Sequence, residues 1–569
     1  MDYKWNTYKI YESDEAWNLG KQELEDNIKV FESTYMSMIN SLEDFLRVTK
    51  LHILINELIE RVYCYPRRFL DLDIKDKKHK EMFDEALDIY SRILKLTSDY
   101  QDYVLENKGK IEGFLETKDA SFFRRYYEII FNKKDAKESG KYFKIYQGIR
   151  NEYQELISNL DYKKLTIDGE YVLVNEENYS NLLLNDDRNV RKQSFELLNE
   201  TYLEQADLIA DLYIRKLKND IASSRNKGYK TLKEMKLVEL ELPVSLIDNT
   251  IEAVNKNLDI MNNYVSLKKE LNGYQQYFLY DSSYPKSGGG KKVSFDDALS
   301  IAESCLAFFG ENYIDKINSL KDGSIDAYPK EGKRTMNFTG ITYAGIPYMC
   351  LNYNGKLSGV RSLIHEIGHA VHLLYTKEKN DFTYFEFSLF LTEIVAKVNE
   401  VIFNNYITDE DGETDIKNIL SVQLNSIFNQ IMFTEFEDKI VTMIENDEEV
   451  NTNIISEIYE DLLYKYNGES LGKHEYNKYG WLRIGHFVMQ EPFYLYQYSI
   501  GTMLANAIYT KLVDDNNYKE KYLEFLSIGN KLNIIDSLKS IDIDLFNERM
   551  LDESFNYLNE MITKLRKVI

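Results

Sequence analysis

Of the 569 residues only seven are histidine, and three of these, His365, His369 and His372, crowd into one short stretch. The first two frame His365-Glu366-Ile367-Gly368-His369, an HExxH spacing whose chance occurrence in a chain this poor in histidine is on the order of one per cent. On a helix, residues i and i+4 stand about 6 Å apart at their Cβ atoms, so two imidazoles can grip one divalent ion from the same side. Glu366, beside the first of them, can reach a water on that ion without occupying the ion, and accept its proton as a general base. The ligand types make zinc the default metal, one Zn²⁺ per chain. The residue pattern assigns metal ligation to His365 and His369 and base catalysis to Glu366. A histidine satisfied within an apolar core is the commoner fate of a lone imidazole, but it does not explain three on one face.

A catalytic zinc site keeps one position open, so one further protein ligand completes the set. By spacing alone His372 qualifies, and so do the downstream acids Glu378, Asp381, Glu386, Glu393 and Glu400. The segment from Leu391 to Glu400 reads as a helix with an apolar stripe of Leu391, Ile394, Val395, Val398, Val401 and Ile402. Glu393 and Glu400 lie together opposite that stripe, and periodicity does not separate a ligand from a solvated carboxylate.

The elements that must position these residues are mostly helical. Val360, Leu363, Ile364, Ile367, Val371 and Leu374 recur at helical spacing and put the three histidines on the other side of the helix. Upstream, Ile28, Phe31, Tyr35, Met38, Leu42 and Phe45 read as one buried helical stripe. Similar patterning runs from Met82 to Leu105, from Phe122 to Leu156, and from Asp187 through Ile221. A short hairpin is expected from Leu165 to Val174 around Asp168-Gly169. Tyr348 to Tyr353 is the most strand-like piece, and its stretch from Met349 to Tyr353 is either a place where a peptide adds as a further strand or an ordinary sheet edge, with nothing in the sequence to choose between them. Tyr284 to Lys291, with three glycines before a lysine, lacks the Walker spacing and reads as a surface loop. Only 6 Pro and 26 Gly interrupt the chain, which favours long helices. The expected division is a helical region 1–190 and a catalytic region 191–569.

Bulk properties exclude several classes of partner. A net charge of −24 argues against nucleic acid and against anionic membrane surfaces. Pro492 to Thr510 is uncharged and long enough to span a bilayer, yet its Tyr, Gln, Ser, Asn and Thr fit a buried helix better. Three scattered cysteines, Cys64, Cys305 and Cys350, form no CxxC pair and read as reduced thiols, and the N-terminus lacks a secretory h-region, so a cytoplasmic location is expected.

The chain resembles the M3 metallopeptidases, and within them the oligoendopeptidase F branch. The matching stretches are Ile346 to Gly355, Ser362 to His372 with the HExxH, Phe390 to Ile394, Asn399-Glu400, Trp481 to Phe487 and Pro492 to Tyr498. The resemblance makes His365, His369 and Glu393 the zinc ligands and Glu366 the base, and leaves His372 a neighbour of the site. Glu400 becomes a hydrogen-bond partner that orients a ligand imidazole. His486, Tyr494 and Tyr498 become the groups that stabilise the tetrahedral oxyanion, the two tyrosines standing i, i+4 on one helix. The implied fold is mainly α: a large multi-helix, two-lobed body enclosing a substrate channel, with a small β element beside the zinc helix. The implied activity is zinc-dependent hydrolysis of internal bonds in short, unstructured oligopeptides by a zinc-bound water. A peptide carrier without catalysis would have no use for a base beside the metal, and a zinc hydrolase of another substrate class would leave a peptide pool intact.

Overall fold

The computed structural model describes residues 3–35, 39–132, 139–283, 292–410, 413–545 and 548–568. Helices dominate it, joined by one two-stranded and one three-stranded sheet. The chain forms two compact units. The first is built from Met1–Asp135, Gly290–Tyr406 and Ile508–Ile543, and the second from Ala136–Gly289, Ile407–Ala507 and Asp544–Ile569. Both draw chain from either side of residue 190.

Strands β1 (Lys164–Ile167) and β2 (Glu170–Leu173) form the expected hairpin in the second unit. Its two-residue turn, Asp168-Gly169, takes positive φ at both positions, 52° and 86°, which matches the right-handed twist of the strands it joins. The other three strands belong to the first unit: β3 (Ile325–Asp326), β4 (Phe338–Gly340) and β5 (Tyr348–Cys350). β5 lies in the middle, parallel to β3 and antiparallel to β4. The strand weighed as a place for an added peptide therefore has both flanks engaged already. β4 is an outer strand of that sheet.

The first unit opens with α1 (Asp14–Thr34), α2 (Leu42–Leu72) and α3 (Lys77–Glu106). Ser13, Ser41 and Asp76 cap their first turns by accepting a backbone N–H, each worth about 1 kcal/mol. The stripe from Ile28 to Phe45 is thus two helices rather than one. Ile28, Phe31, Tyr35 and Phe45 are all buried, as expected, but α1 ends at Thr34 and Ser41 starts a new helix in nearly the same phase. Met38 lies outside the described residues. These helices bury Trp17, Leu24, Phe31, Val48 and Val62 in one apolar cluster that also takes in Tyr348 and Cys350 of β5. The Trp5 indole donates to the Met349 carbonyl at 2.9 Å and ties the N-terminal segment to that strand.

Two further helices complete the part of this unit that matters chemically. α4 (Leu357–Lys379) carries the HExxH residues and α5 (Leu389–Glu410) carries Glu393 and Glu400. In the second unit the chain is helical over Ser139–Ser158, Arg188–Leu203 and Ala206–Asn226, with Asp187 as an N-cap. The uncharged run from Pro492 enters α6 (Tyr496–Asp514), where Ile500, Met503, Leu504 and Ala505 are buried. Among the described residues no helix is long and apolar enough to cross a membrane. The glycine-rich run Tyr284 to Lys291 lies outside the described residues.

Candidate metal centre

α4 buries Val360, Leu363, Ile364, Ile367 and Val371 completely, while Leu374 is only half-buried. At about 1.5–3 kcal/mol for each fully buried aliphatic side chain, this stripe fixes which way the helix is rolled. Its opposite side meets α5 at very short range. A Cβ at Gly368 would stand 2.7 Å from the Ala396 Cα, so the second x of the HExxH must be glycine for the two backbones to approach this closely. Asn399 of α5 helps hold the crossing: its amide reaches the Ile364 carbonyl at 3.4 Å, and its carbonyl accepts from the Tyr313 hydroxyl at 3.0 Å. On α5, Leu391, Ile394, Val395, Val398, Val401 and Ile402 are all buried, as their periodicity predicts.

This crossing brings together His365, His369 and Glu393, the one group among the described residues with three metal-type ligand atoms close enough to share an ion. The two Nε2 atoms stand 3.1 Å apart, and each is 3.8 Å from a Glu393 carboxylate oxygen. The two distances go to different oxygens of that carboxylate, and the three ligand atoms lie within 4.8 Å of one another, a somewhat wider spread than the roughly 3.3 Å between ligands about 2.05 Å from a tetrahedral zinc.

The outer ring nitrogens are also committed. His365 Nδ1 donates to Glu400 Oε1 at 2.7 Å, and His369 Nδ1 is hydrogen-bonded to Thr392 Oγ1 at 2.9 Å. With both Nδ1 atoms engaged outward, the Nε2 atoms are the ring nitrogens turned toward each other, which is where a cation would be held. The donor set therefore fits a divalent, borderline-soft metal such as zinc.

The two ligand imidazoles differ in what backs them. Glu400 Oε1 also accepts from Lys397 at 2.8 Å. Burial opposes ionisation of Glu400, but Lys397, His365 and Arg361 outweigh it and hold the carboxyl well below its usual range. Burial likewise works against a His365 imidazolium, and the Glu400 carboxylate reverses the balance and raises its pKa. His369, backed by a neutral hydroxyl, is pulled far below the ordinary histidine value by burial and then by the charge of His365.

Glu366 is 5% exposed and does not point at solvent. Thr339 of β4 donates its hydroxyl to Glu366 Oε2 at 2.7 Å and lies 3.2 Å from the Glu366 carbonyl. Burial raises the Glu366 carboxyl above its usual range, against the opposing pull of His365 and Thr339, which is the direction a proton acceptor working near neutrality needs.

His372, a candidate ligand by spacing, stacks instead on Phe387 with ring centroids 4.1 Å apart, and Phe525 lies 6.4 Å away. Its Nδ1 has no hydrogen-bond partner, and burial lowers its pKa to about 3, so it stays a neutral aromatic ring. Of the other acids, Glu378 is paired with Lys316, and the Asp381 side chain caps the short helix Phe382–Phe385.

His486, Tyr494 and Tyr498 belong to the second unit. His486 is exposed at the start of the short helix His486–Met489. Tyr494 and Tyr498 are not i, i+4 on one helix, because α6 begins at Tyr496 and Phe493 sits at φ 55° just before it. Their hydroxyls nonetheless stand 3.4 Å apart, with the rings edge to face at 5.4 Å. Tyr496 is fully buried.

Three residues at the centre have no signal in the sequence motif. Thr392 and Lys397 lie near Glu393 and Glu400, but only the roll of α5 shows that Thr392 touches His369 and Lys397 touches Glu400. Thr339 comes from a strand 27 residues before the base, joined to it by tertiary contact alone.

Comparison with known proteins gives the family and the fold. The sequence model of Peptidase family M3 matches residues 181–557. The chain is 26% identical to the group B oligopeptidase PepB of Streptococcus agalactiae, over 100% of this chain and 97% of that protein. It is 25% identical to the oligopeptidase PepF of Bacillus subtilis, over 99% and 88% respectively. The fold matches the crystal structure of oligoendopeptidase-F from Enterococcus faecium with a TM-score of 0.75 and 21% identity, over 98% of this chain and 99% of that one.

Proposed function

Since the chain belongs to Peptidase family M3 and is a metalloendopeptidase, we propose that it hydrolyses internal peptide bonds of short, unstructured oligopeptides, with zinc held by His365, His369 and Glu393 and with Glu366 as the general base. The reading is carried by one observation: three candidate ligand atoms, two from α4 and one from α5, converge within 4.8 Å of one another, and the residue after the first of them on α4 is a buried carboxylate. When bound there, zinc supplies Lewis acidity, polarising the scissile carbonyl and acidifying water.

The protein's own residues do the rest. Glu400 and Thr392 fix both imidazoles with Nε2 presented inward, and Glu393 adds a carboxylate from the facing helix. Glu366 takes a proton from the attacking water on its carboxylate and returns it to the leaving amine. Oxyanion stabilisation by His486, Tyr494 and Tyr498 remains part of the proposal. It is supported by the resemblance of the segments that carry these residues and by the pairing of the two tyrosine hydroxyls. The names of the relatives support oligopeptides as the substrate class. A cytoplasmic site of action and a preference for neutral or basic peptides belong to the same reading, the latter resting on the net charge of −24.

The test is digestion of a mixed peptide pool, with products read by mass spectrometry. Internal cuts are expected from the protein as purified, none after chelation, and recovery on adding zinc. Glu366→Gln is expected to keep the metal and lower the rate about 10²- to 10⁴-fold, the range for removing a general base. Cleavage that survives chelation, or a fully active Glu366→Gln variant, would sink the assignment.

A further inference from the structure

β4 is held from behind before it meets the catalytic helix. Gly340 lies flush against the Arg68 guanidinium of α2, where a Cβ would stand 2.4 Å from its central carbon. Arg68 is in turn bonded to Asp71 at 2.9 Å, both side chains being nearly inaccessible. Asp71 also takes Arg67 at 3.2 Å and Arg334 at 2.8 Å, and its carbonyl accepts the Arg334 N–H. On its inner side β4 is laddered to β5, with Thr339 opposite Met349. The strand is therefore fixed relative to both α2 and the sheet core, and Thr339 is its middle residue.

The Thr339 hydroxyl stands 2.7 Å from Glu366 Oε2, a shorter donor contact than the 3.2 Å to the Glu366 carbonyl and one to a more strongly accepting oxygen. A glutamate has three side-chain torsions, and one oxygen held by a donor on a rigid strand removes most of that freedom while leaving the other oxygen free to take a proton. Threonine suits this role because its β-branch restricts χ1, so the donor direction is set by the strand backbone. We infer that Thr339 is a positioning residue for the catalytic base, locking the Glu366 carboxylate in the orientation from which it accepts the proton of the attacking water. This rests on the reading of Glu366 as the base.

The experiment compares Thr339→Val, which keeps the shape and removes the donor, with Thr339→Ser, which restores a hydroxyl, and with Glu366→Gln. Each is assayed on an internally quenched oligopeptide with metal per chain and thermal midpoint measured alongside. Thr339→Val is expected to lower kcat about 10- to 100-fold, a part of what the base itself contributes. Its KM, metal content and midpoint are expected to stay near wild type. Thr339→Ser is expected to recover most of the lost kcat. If Glu366→Gln is inactive while Thr339→Val keeps wild-type kcat, the positioning role falls and the base assignment stands. If Glu366→Gln is fully active, both fall together. A Thr339→Val loss that comes with lost metal, a lowered midpoint or an equally raised KM, or that Thr339→Ser does not recover, makes the residue merely structural and overturns the inference.

Discussion

His369 and His372 lie three residues apart on one helix, are 8% and 2% exposed, and end in different chemistry. The His369 ring faces α5, where the Thr392 hydroxyl is bonded to its Nδ1 and Glu393 meets its Nε2. The His372 ring faces Phe387 and Phe525, which offer π surface and no acceptor. Both are pushed toward the neutral form by burial, yet only one has a lone pair aimed at other ligand atoms. Helical spacing put both on the histidine face. What stands opposite each ring decides which of the two is placed among other potential ligand atoms.

The comparison breaks most directly at His369. His369→Ala is expected to reduce bound metal to traces and to cost more activity than the ~10²- to 10⁴-fold ascribed to a general base, whereas His372→Phe is expected to retain both. Metal analysis of the two purified variants checks this, and metal loss in His372→Phe would erase the distinction.

A smaller effect is expected from the groups behind the ligands. Glu400→Gln replaces an ionised partner of His365 and is expected to weaken metal affinity by about 10- to 100-fold, while Thr392→Val, which removes a neutral one, stays near the lower end of that range. Competition with a chromophoric chelator measures both. Equal losses would mean that the charge on Glu400 adds nothing beyond its hydrogen bond.

The smallest effect concerns stability. His372 has a folded pKa of about 3, below the unfolded value of ~6.5. The unfolded chain therefore binds the extra proton between those limits, and the contribution of neutral His372 is complete above pH ~6.5 and drains away as the pH falls toward 3. His372→Phe preserves the ring stack and removes the titration. Its melting temperature is expected to fall less steeply than wild type from pH 6.5 to 4.5, and parallel curves would place the acid sensitivity elsewhere.

Much of the centre was legible because it is local. The HExxH spacing, the stripe of α4 and the stripe of α5 all follow from about 100° per residue. The same rule left Glu393 and Glu400 indistinguishable, being two turns apart on one face, until the resemblance separated them. Packing then showed why both are needed: Glu393 meets two Nε2 atoms, and Glu400 meets the Nδ1 of His365. Periodicity failed where two elements happened to agree in phase. The stripe from Ile28 to Phe45 passed through a helix end at Thr34 and a new cap at Ser41 without breaking. It failed again at Tyr494 and Tyr498, whose hydroxyls approach although a positive φ at Phe493 keeps the first tyrosine out of the helix.

The sequence by itself determined the two imidazoles, the adjacent carboxylate and the helix that presents them, since covalent spacing on a 3.6-residue turn leaves those neighbours no choice. Tertiary structure alone decided that β5 is a central strand, that His372 is a packed ring, and that Thr339 and Thr392 touch Glu366 and His369. Those facts depend on which distant surfaces meet, and a side chain's role at such a meeting is set by the group it faces, which no spacing along its own helix encodes.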